Sequence, residues 1–192
     1  MRRRGSGRSS RSGRRSSRGS ETPTRARGRP GAPPRPEGVR IRAARAADAA
    51  DIAGLWRDLL AYHRDLGERD VRPSKAASEG EEFVREHIGP RDRLALVAES
   101  DGGPVGFLVA TLRKRSPAFG GWRYGHIYDV YVDAAHRRLG IGAALVEEAF
   151  RWFRRHRIRL VQLQVRTRNP AGIEFWRGLG FEDLALTLER RL

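Results

Sequence analysis

Apolar and polar positions alternate through Val39, Arg40, Ile41 and Arg42, the two-residue period of a β-strand. The period then lengthens. Ile52, Leu55, Trp56, Leu59 and Tyr62 recur three and four apart and form one stripe on a helix that Asp48 is placed to cap. Residues 67–74 read as a loop and 76–88 as a second helix, halted by Gly89 and Pro90. Apolar runs at 94–98 and 105–110 flank Asp101, Gly102, Gly103 and Pro104, which predicts a hairpin with a tight turn. A loop rich in Arg, Gly and Pro leads to a strand at 124–132, followed by a polar, basic run at 133–138. Residues 140–156 carry the clearest helical stripe, in Ile141, Leu145, Val146, Ala149, Trp152 and Phe153. Arg151, Arg154 and Arg155 lie towards its C-terminal end, where cations suit the helix dipole. A strand at 160–165 follows, then a helix opened by Asn169 and Pro170 and stopped by Gly180. Residues 181–192 read as a closing strand. The order β-α-α-β-β-β-α-β-α-β predicts an α/β fold, a mixed central sheet with flanking helices.

One strand breaks its own rhythm. Ile127 and Val130 are three apart, whereas Val130 and Val132 are two apart. An extra residue around Tyr128 and Asp129, a β-bulge, accounts for this, and bulges often adjoin active sites.

Charge divides the chain. Lysine and arginine number 39 against 23 aspartates and glutamates, a formal charge of +16 over 192 residues. Residues 1–38 hold twelve of the arginines, two glutamates and no large apolar residue except Met1. Such a segment cannot bury enough apolar area to offset the entropy of ordering it. The expected organisation is therefore a disordered Arg/Ser/Gly/Pro-rich tail at 1–38 and one folded domain at 39–192. Two readings of the tail stand: a weak, salt-sensitive contact with nucleic acid or another anionic partner, or an extension with no role. It lacks the apolar face of a transit helix and the apolar core of a secretory signal. No apolar run nears the length needed to cross a bilayer. The chain has no cysteine, which excludes disulfides, a thiolate nucleophile and cysteine-ligated metals. A cytoplasmic location without a metal is expected, and monomer and homodimer both remain open.

Chemistry concentrates where the strand at 124–132 runs through Asp133 and His136 into Arg137, Arg138, Leu139, Gly140, Ile141, Gly142 and Ala143. Free amides at a helix start, partial positive charge from the dipole, glycines and two arginines together suit a diphosphate. A Walker loop would need Gly-Lys-Ser/Thr where Gly142 is followed by two alanines. A Rossmann turn would leave the strand directly, whereas residues 133–139 intervene here.

The run Arg137-Arg138-Leu139-Gly140-Ile141-Gly142 resembles the Gln/Arg-x-x-Gly-x-Gly/Ala signature of the GNAT superfamily of N-acetyltransferases. A second stretch, from Asn169 through Gly172, Phe175, Trp176 and Gly180 to Phe181, is similar to that family's Asn-x-x-Ala-x-x-Phe-Tyr-x-x-x-Gly-Phe segment. Gly172 replaces the alanine and Trp176 the tyrosine. One helix and one strand separate the two matches, as in that family. The resemblance covers 39–192 and implies transfer of the acetyl group of acetyl-CoA to an amine. It implies that the backbone from Arg138 to Ala143 holds the CoA diphosphate, that Val130, Tyr131 and Val132 pair with the pantetheine arm, and that Asn169 touches the cofactor. An amide near Val130 would polarise the thioester carbonyl.

An alkyl ammonium, with a pKa of about 10.4, must lose a proton before it attacks, and the departing thiolate needs one back. Without cysteine, direct attack in a ternary complex is simpler than an acyl-enzyme. Asp129 is the candidate base, with His126 beside it on the strand. The family's acid is the tyrosine that Trp176 replaces, and an indole N–H does not serve as one. Tyr124, Tyr128 and Tyr131 remain as candidates, Tyr128 standing next to Asp129. Trp56, Tyr62, His63, Glu79, Glu81 and Glu82 are candidates for the acceptor cleft. Two functions follow: an acyltransferase acting on a primary amine of a small molecule or protein, or a catalytically weak acyl-CoA-binding module tethered by its tail.

Overall fold

A computed structural model describes residues 36–68, 71 and 76–190, so the tail expected at 1–38 falls almost wholly outside the described residues. The alternating runs pair as expected. β2 (Arg93–Ser100) and β3 (Gly103–Lys114) are antiparallel, with Ser100 opposite Gly103, so that Asp101 and Gly102 alone make the turn. β1 (Arg40–Ala43) pairs antiparallel with β2, and β4 (Arg123–Val132) does so with β3. β5 (Val161–Gln162) runs parallel to β4, which completes a mixed sheet of order β1-β2-β3-β4-β5.

Side chains alternate across the strands, so the sheet supplies two cores. Leu96, Leu108, Ala110 and Ile127 pack with Leu145, Val146 and Phe153 of α3 (Ile141–Arg155) and Trp176 of α4 (Pro170–Gly178). Ala95, Val97, Phe107 and Val109 pack with Ile52 and Leu59 of α1 (Ala49–Asp65) and Val84 of α2 (Ala76–Glu86). Phe107, Leu108 and Val109 are consecutive, yet none is more than 1% exposed. Only a strand covered on both faces allows that, and each such side chain contributes about 1.5–3 kcal/mol.

Asp48 takes the N-cap position of α1 but does not cap it. Its carboxylate accepts from the Arg45 amide at 2.6 Å and from both terminal nitrogens of Arg42 at 2.7 and 2.9 Å. A forked guanidinium outcompetes a lone helix amide as partner, and Arg42 also reaches Glu99 on β2.

Two strands differ from expectation. β5 spans two residues instead of six, because it meets β4 only at Gly125 and His126. Beyond them β4 bulges, and the added bend and twist carry it away from β5. A β5 of two residues offers too short an edge for the further strand expected at 181–192, and residues 181–190 form none. Their leucines, Leu184, Leu186 and Leu188, are 72%, 74% and 84% exposed. Residues 191 and 192 lie outside the described residues.

Candidate active site

The bulge falls where the broken alternation placed it. Val109 pairs with Asp129 and Ala110 with Ile127, so Tyr128 is the residue without a partner on β3. The extra residue turns two successive side chains to one face. Tyr128 packs into the core under α1 and α2, and Asp129 accepts a hydrogen bond from Trp56 Nε1–H on α1 at 3.3 Å. Burial pushes the Asp129 carboxyl up to about 6, and the indole N–H opposes that rise in part. Trp56 is held flat: its ring stacks on Phe83 with centroids 5.8 Å apart and an interplanar angle of 16°. A Cβ at Gly80 would lie 2.3 Å from Trp56 Cε3, so α2 can approach only with glycine there.

Tyr128 is boxed in by His126, Phe83 and His87, at centroid distances of 4.7, 5.5 and 5.5 Å, with the Arg113 guanidinium 5.6 Å from its ring. Burial holds His126 below the usual histidine range, and Arg113 adds to the effect. Its imidazole is therefore neutral at pH 7. Tyr124 lies opposite Arg113 at the far end of β4, against Trp122 and Arg115.

From Ile127 onward the edge of β4 that faces away from β3 pairs with no strand among the described residues. That open edge, which includes Val130, Tyr131 and Val132, leads through a short turn (Ala134–His136) to the start of α3. The chain there adopts φ of 64° at Arg138 and 80° at Gly140. A left-handed arginine costs about 1–2 kcal/mol, the kind of strain that gathers at ligand sites. Gly140 is the N-cap of α3, and no side chain caps the helix. Its first backbone bond runs from the Ala144 amide to Gly140 O, so the amides of Ile141, Gly142 and Ala143 precede the ladder and face outward. Leu139 is 58% exposed at this mouth. A diphosphate fits such a cradle of free amides. Gly142 has a second role: a Cβ there would meet Phe175 of α4 at 3.4 Å, so its open side faces the core, not the mouth. Arg137 is drawn aside. Its Nε donates to Val132 O at 3.1 Å, and its guanidinium sits 5.1 Å from the ring of Tyr62 and 5.3 Å from that of Tyr131.

Asn169 is the N-cap of α4, with Oδ1 accepting from the Gly172 amide at 2.9 Å. The same oxygen accepts from the Tyr62 hydroxyl at 3.3 Å. A Cβ at Gly172 would lie 2.6 Å from Asn169 Nδ2, which gives a reason for glycine in place of the family's alanine. Trp176 is 8% exposed against Phe175 and Phe181, so it fills the core instead of presenting a polar tip.

The fold thus brings Asp129, Tyr128, Tyr131 and Asn169 around the parting of β4 and β5. It does not bring the acidic face of α2 there: Glu81 pairs with Arg85, and Glu79 and Glu82 are exposed. His63 is held below its usual range by burial and by Arg166, against the opposing pull of Glu68. The direct contact of Trp56 with Asp129, the need for glycine beneath it, and the reach of Tyr62 to Asn169 were not legible in the sequence. The stripe on α1 placed Trp56 and Tyr62 on one face without naming what that face meets.

Comparison with known proteins shows the family of the chain and the likeness of its fold. Residues 56–181 match the model of the Acetyltransferase (GNAT) family. The chain is 34% identical over 93 residues to an uncharacterized N-acetyltransferase of Methanocaldococcus jannaschii, an alignment covering 45% of this chain and 38% of that protein. It is 30% identical over 151 residues to a mycothiol acetyltransferase of Saccharomonospora viridis, covering 78% of this chain and 47% of the relative. The chain therefore spans less than half the length of either curated relative. The structure of a tetramutant of the BH1408 protein from Bacillus halodurans superposes with a TM-score of 0.73 at 21% identity, covering 80% of this chain and 99% of that one. That likeness concerns the fold. With the family model matching about two thirds of its residues, the chain belongs to the GNAT family of acetyltransferases.

Proposed function

We propose that the protein is an N-acetyltransferase that moves the acetyl group of acetyl-CoA to a primary amine, on a small molecule or a protein, by direct attack in a ternary complex. One observation carries this reading: a carboxyl raised to about 6 stands at the bulge of β4, next to an open strand edge that runs into an uncapped helix mouth. Acetyl-CoA supplies an activated acyl thioester. The amides of Arg138 to Ala143 and the Arg138 side chain hold the diphosphate, while Arg137 stays with the tyrosines. Val130, Tyr131 and Val132 offer backbone groups to the pantetheine arm as an added strand would. Asn169, its Oδ1 already committed to Gly172 and Tyr62, presents its NH2 edge to the same arm. The Val130 amide polarises the acyl carbonyl. Asp129 attracts the ammonium and takes its proton as the carbon–nitrogen bond forms; a carboxylate near 6 suits neutral pH better than an ordinary one near 4. Tyr128 and Trp56 wall the acceptor side of that carboxylate.

Incubation with acetyl-CoA and an amine panel, with free CoA followed, tests the reading. Amine-dependent CoA release is expected, and Asp129→Asn should lower turnover about 100-fold or more with acetyl-CoA affinity little changed. Equal losses in both would remove Asp129 from the proton transfer. Trp176, buried where the family carries a phenol, favours the second reading, a catalytically weak acyl-CoA-binding module. Acetyl-CoA binding with no amine-dependent release would establish that reading instead.

A further inference from the structure

The departing thiolate still needs a proton. Trp176 cannot give one, and the phenols of β4 are poorly placed. Tyr124 lies six residues from Val130, about 20 Å along the strand. Tyr128 is enclosed by three rings and a guanidinium. Tyr131 is 8% exposed, and burial raises its phenol above the ordinary range, which makes it a weaker acid.

Tyr62 of α1 is placed differently. Its hydroxyl reaches the N-cap of α4, at Asn169 Oδ1, while Arg137 ties its ring to the end of β4 through Val132 O. The side chain therefore crosses the gap where β4 and β5 part. At 3.3 Å its hydrogen bond to Asn169 is long for an O–H donor, so little is lost when the hydroxyl turns to a better acceptor. The Arg137 guanidinium, 5.1 Å from the ring centroid, holds the ring in that position. Tyr62 follows Trp56 by six residues on α1, an axial rise of about 9 Å. The same helix thus carries both the partner of the base and a phenol that reaches the N-cap of α4.

We infer that Tyr62 is the general acid of the transfer, doing from α1 what no residue of α4 can do here. The inference rests on the acetyl-transfer reading above. In the step, the amine nitrogen bonds to the acyl carbon and passes its proton to Asp129. The carbon–sulfur bond breaks with its electron pair on sulfur, and the Tyr62 hydroxyl gives that sulfur its proton. Both side chains return to their starting states by exchange with water.

Tyr62→Phe in the full-length protein tests this in two ways. With acetyl-CoA, kcat should fall about 100-fold, within the usual range for loss of a general acid. With an acetyl thioester of an aromatic thiol, whose thiolate leaves without a proton, kcat/KM should fall less than tenfold. The second readout needs no turnover: thiolate absorbance of bound CoA is followed against pH. A hydroxyl donating to sulfur stabilises the thiolate, so the thiol, normally near 8.5 in an alkyl chain, should titrate higher in the variant than in the wild type. Equal losses with both donors, together with an unchanged thiol titration, would reduce Tyr62 to an anchor for Asn169 and overturn the proposal. Asn169→Ala separates the roles further, since loss of the anchor alone should weaken CoA binding without the donor dependence. Wild-type protein that consumes no acetyl-CoA with any amine would instead refute the acetyl-transfer reading.

Discussion

Trp56→Phe removes one hydrogen-bond donor while leaving an aromatic ring to stack on Phe83. Asp129 then keeps the burial that raises its pKa and loses the contact that lowers it. A hydrogen bond to a charged group contributes about 1.5–3 kcal/mol, and 3.3 Å places this one at the weak end. At 1.36 kcal/mol per unit, the Asp129 carboxyl should rise by about one unit, from about 6 to about 7. The ionised fraction at pH 7 would drop from about nine-tenths to about half. In a pH profile of kcat/KM the acidic limb should move up by about one unit, while the plateau at higher pH changes little. The indole N–H of Trp56, followed by NMR in the wild type, should titrate with the same midpoint and lose that titration in Asp129→Asn. Gly80→Ala should move the limb in the same direction, because the added methyl displaces the indole. An unmoved acidic limb in both variants, or one that shifts downward, would refute the coupling of Trp56 to the base.

Asp129 also sets a stability cost. Its folded-state pKa lies above the unfolded value of 3.8, so the folded state binds the proton more tightly. The stability gained from that proton is complete below about pH 4 and is lost as pH rises through about 6, where the cost of the buried carboxylate is felt. Asp129→Asn should therefore stabilise the protein by about 2–3 kcal/mol at pH 8 and by much less at pH 4, read as denaturation midpoints at the two pH values. Asp48 carries the opposite sign. Hydrogen bonds from Arg42 hold its carboxyl below the usual range, so the stability it adds is present at neutral pH and disappears as pH falls through that lowered value. Asp48→Asn should cost about 3 kcal/mol by chemical denaturation at pH 7, because Arg42 is left with Glu99 alone in a largely buried position.

Broken apolar spacing at Ile127, Val130 and Val132 located the bulge, and with it Asp129, because a strand's period of two is strict enough for one extra residue to show. The Gly-x-Gly run likewise marked the start of α3, where Gly140 takes a left-handed φ of 80° at an N-terminus that no side chain caps. Asp48 shows the limit of such reasoning. A capping residue read from position alone was captured by Arg42, whose forked donors come from the neighbouring strand. Alternating leucines after Phe181 likewise suggested a strand that needs an edge, and β5 is too short to provide one.

Element types, the two core stripes, the hairpin turn and the two family motifs all depend on neighbours within a few positions, and local periodicity specifies them. The meeting of Trp56 with Asp129 joins residues 73 apart, and that of Tyr62 with Asn169 joins residues 107 apart. Those contacts depend on how α1 lies across the parted strands, on a glycine in α2 that lets an indole lie flat, and on a guanidinium turned from the helix mouth to two phenols. Packing between distant segments sets each of them, and no pattern along the chain carries that information.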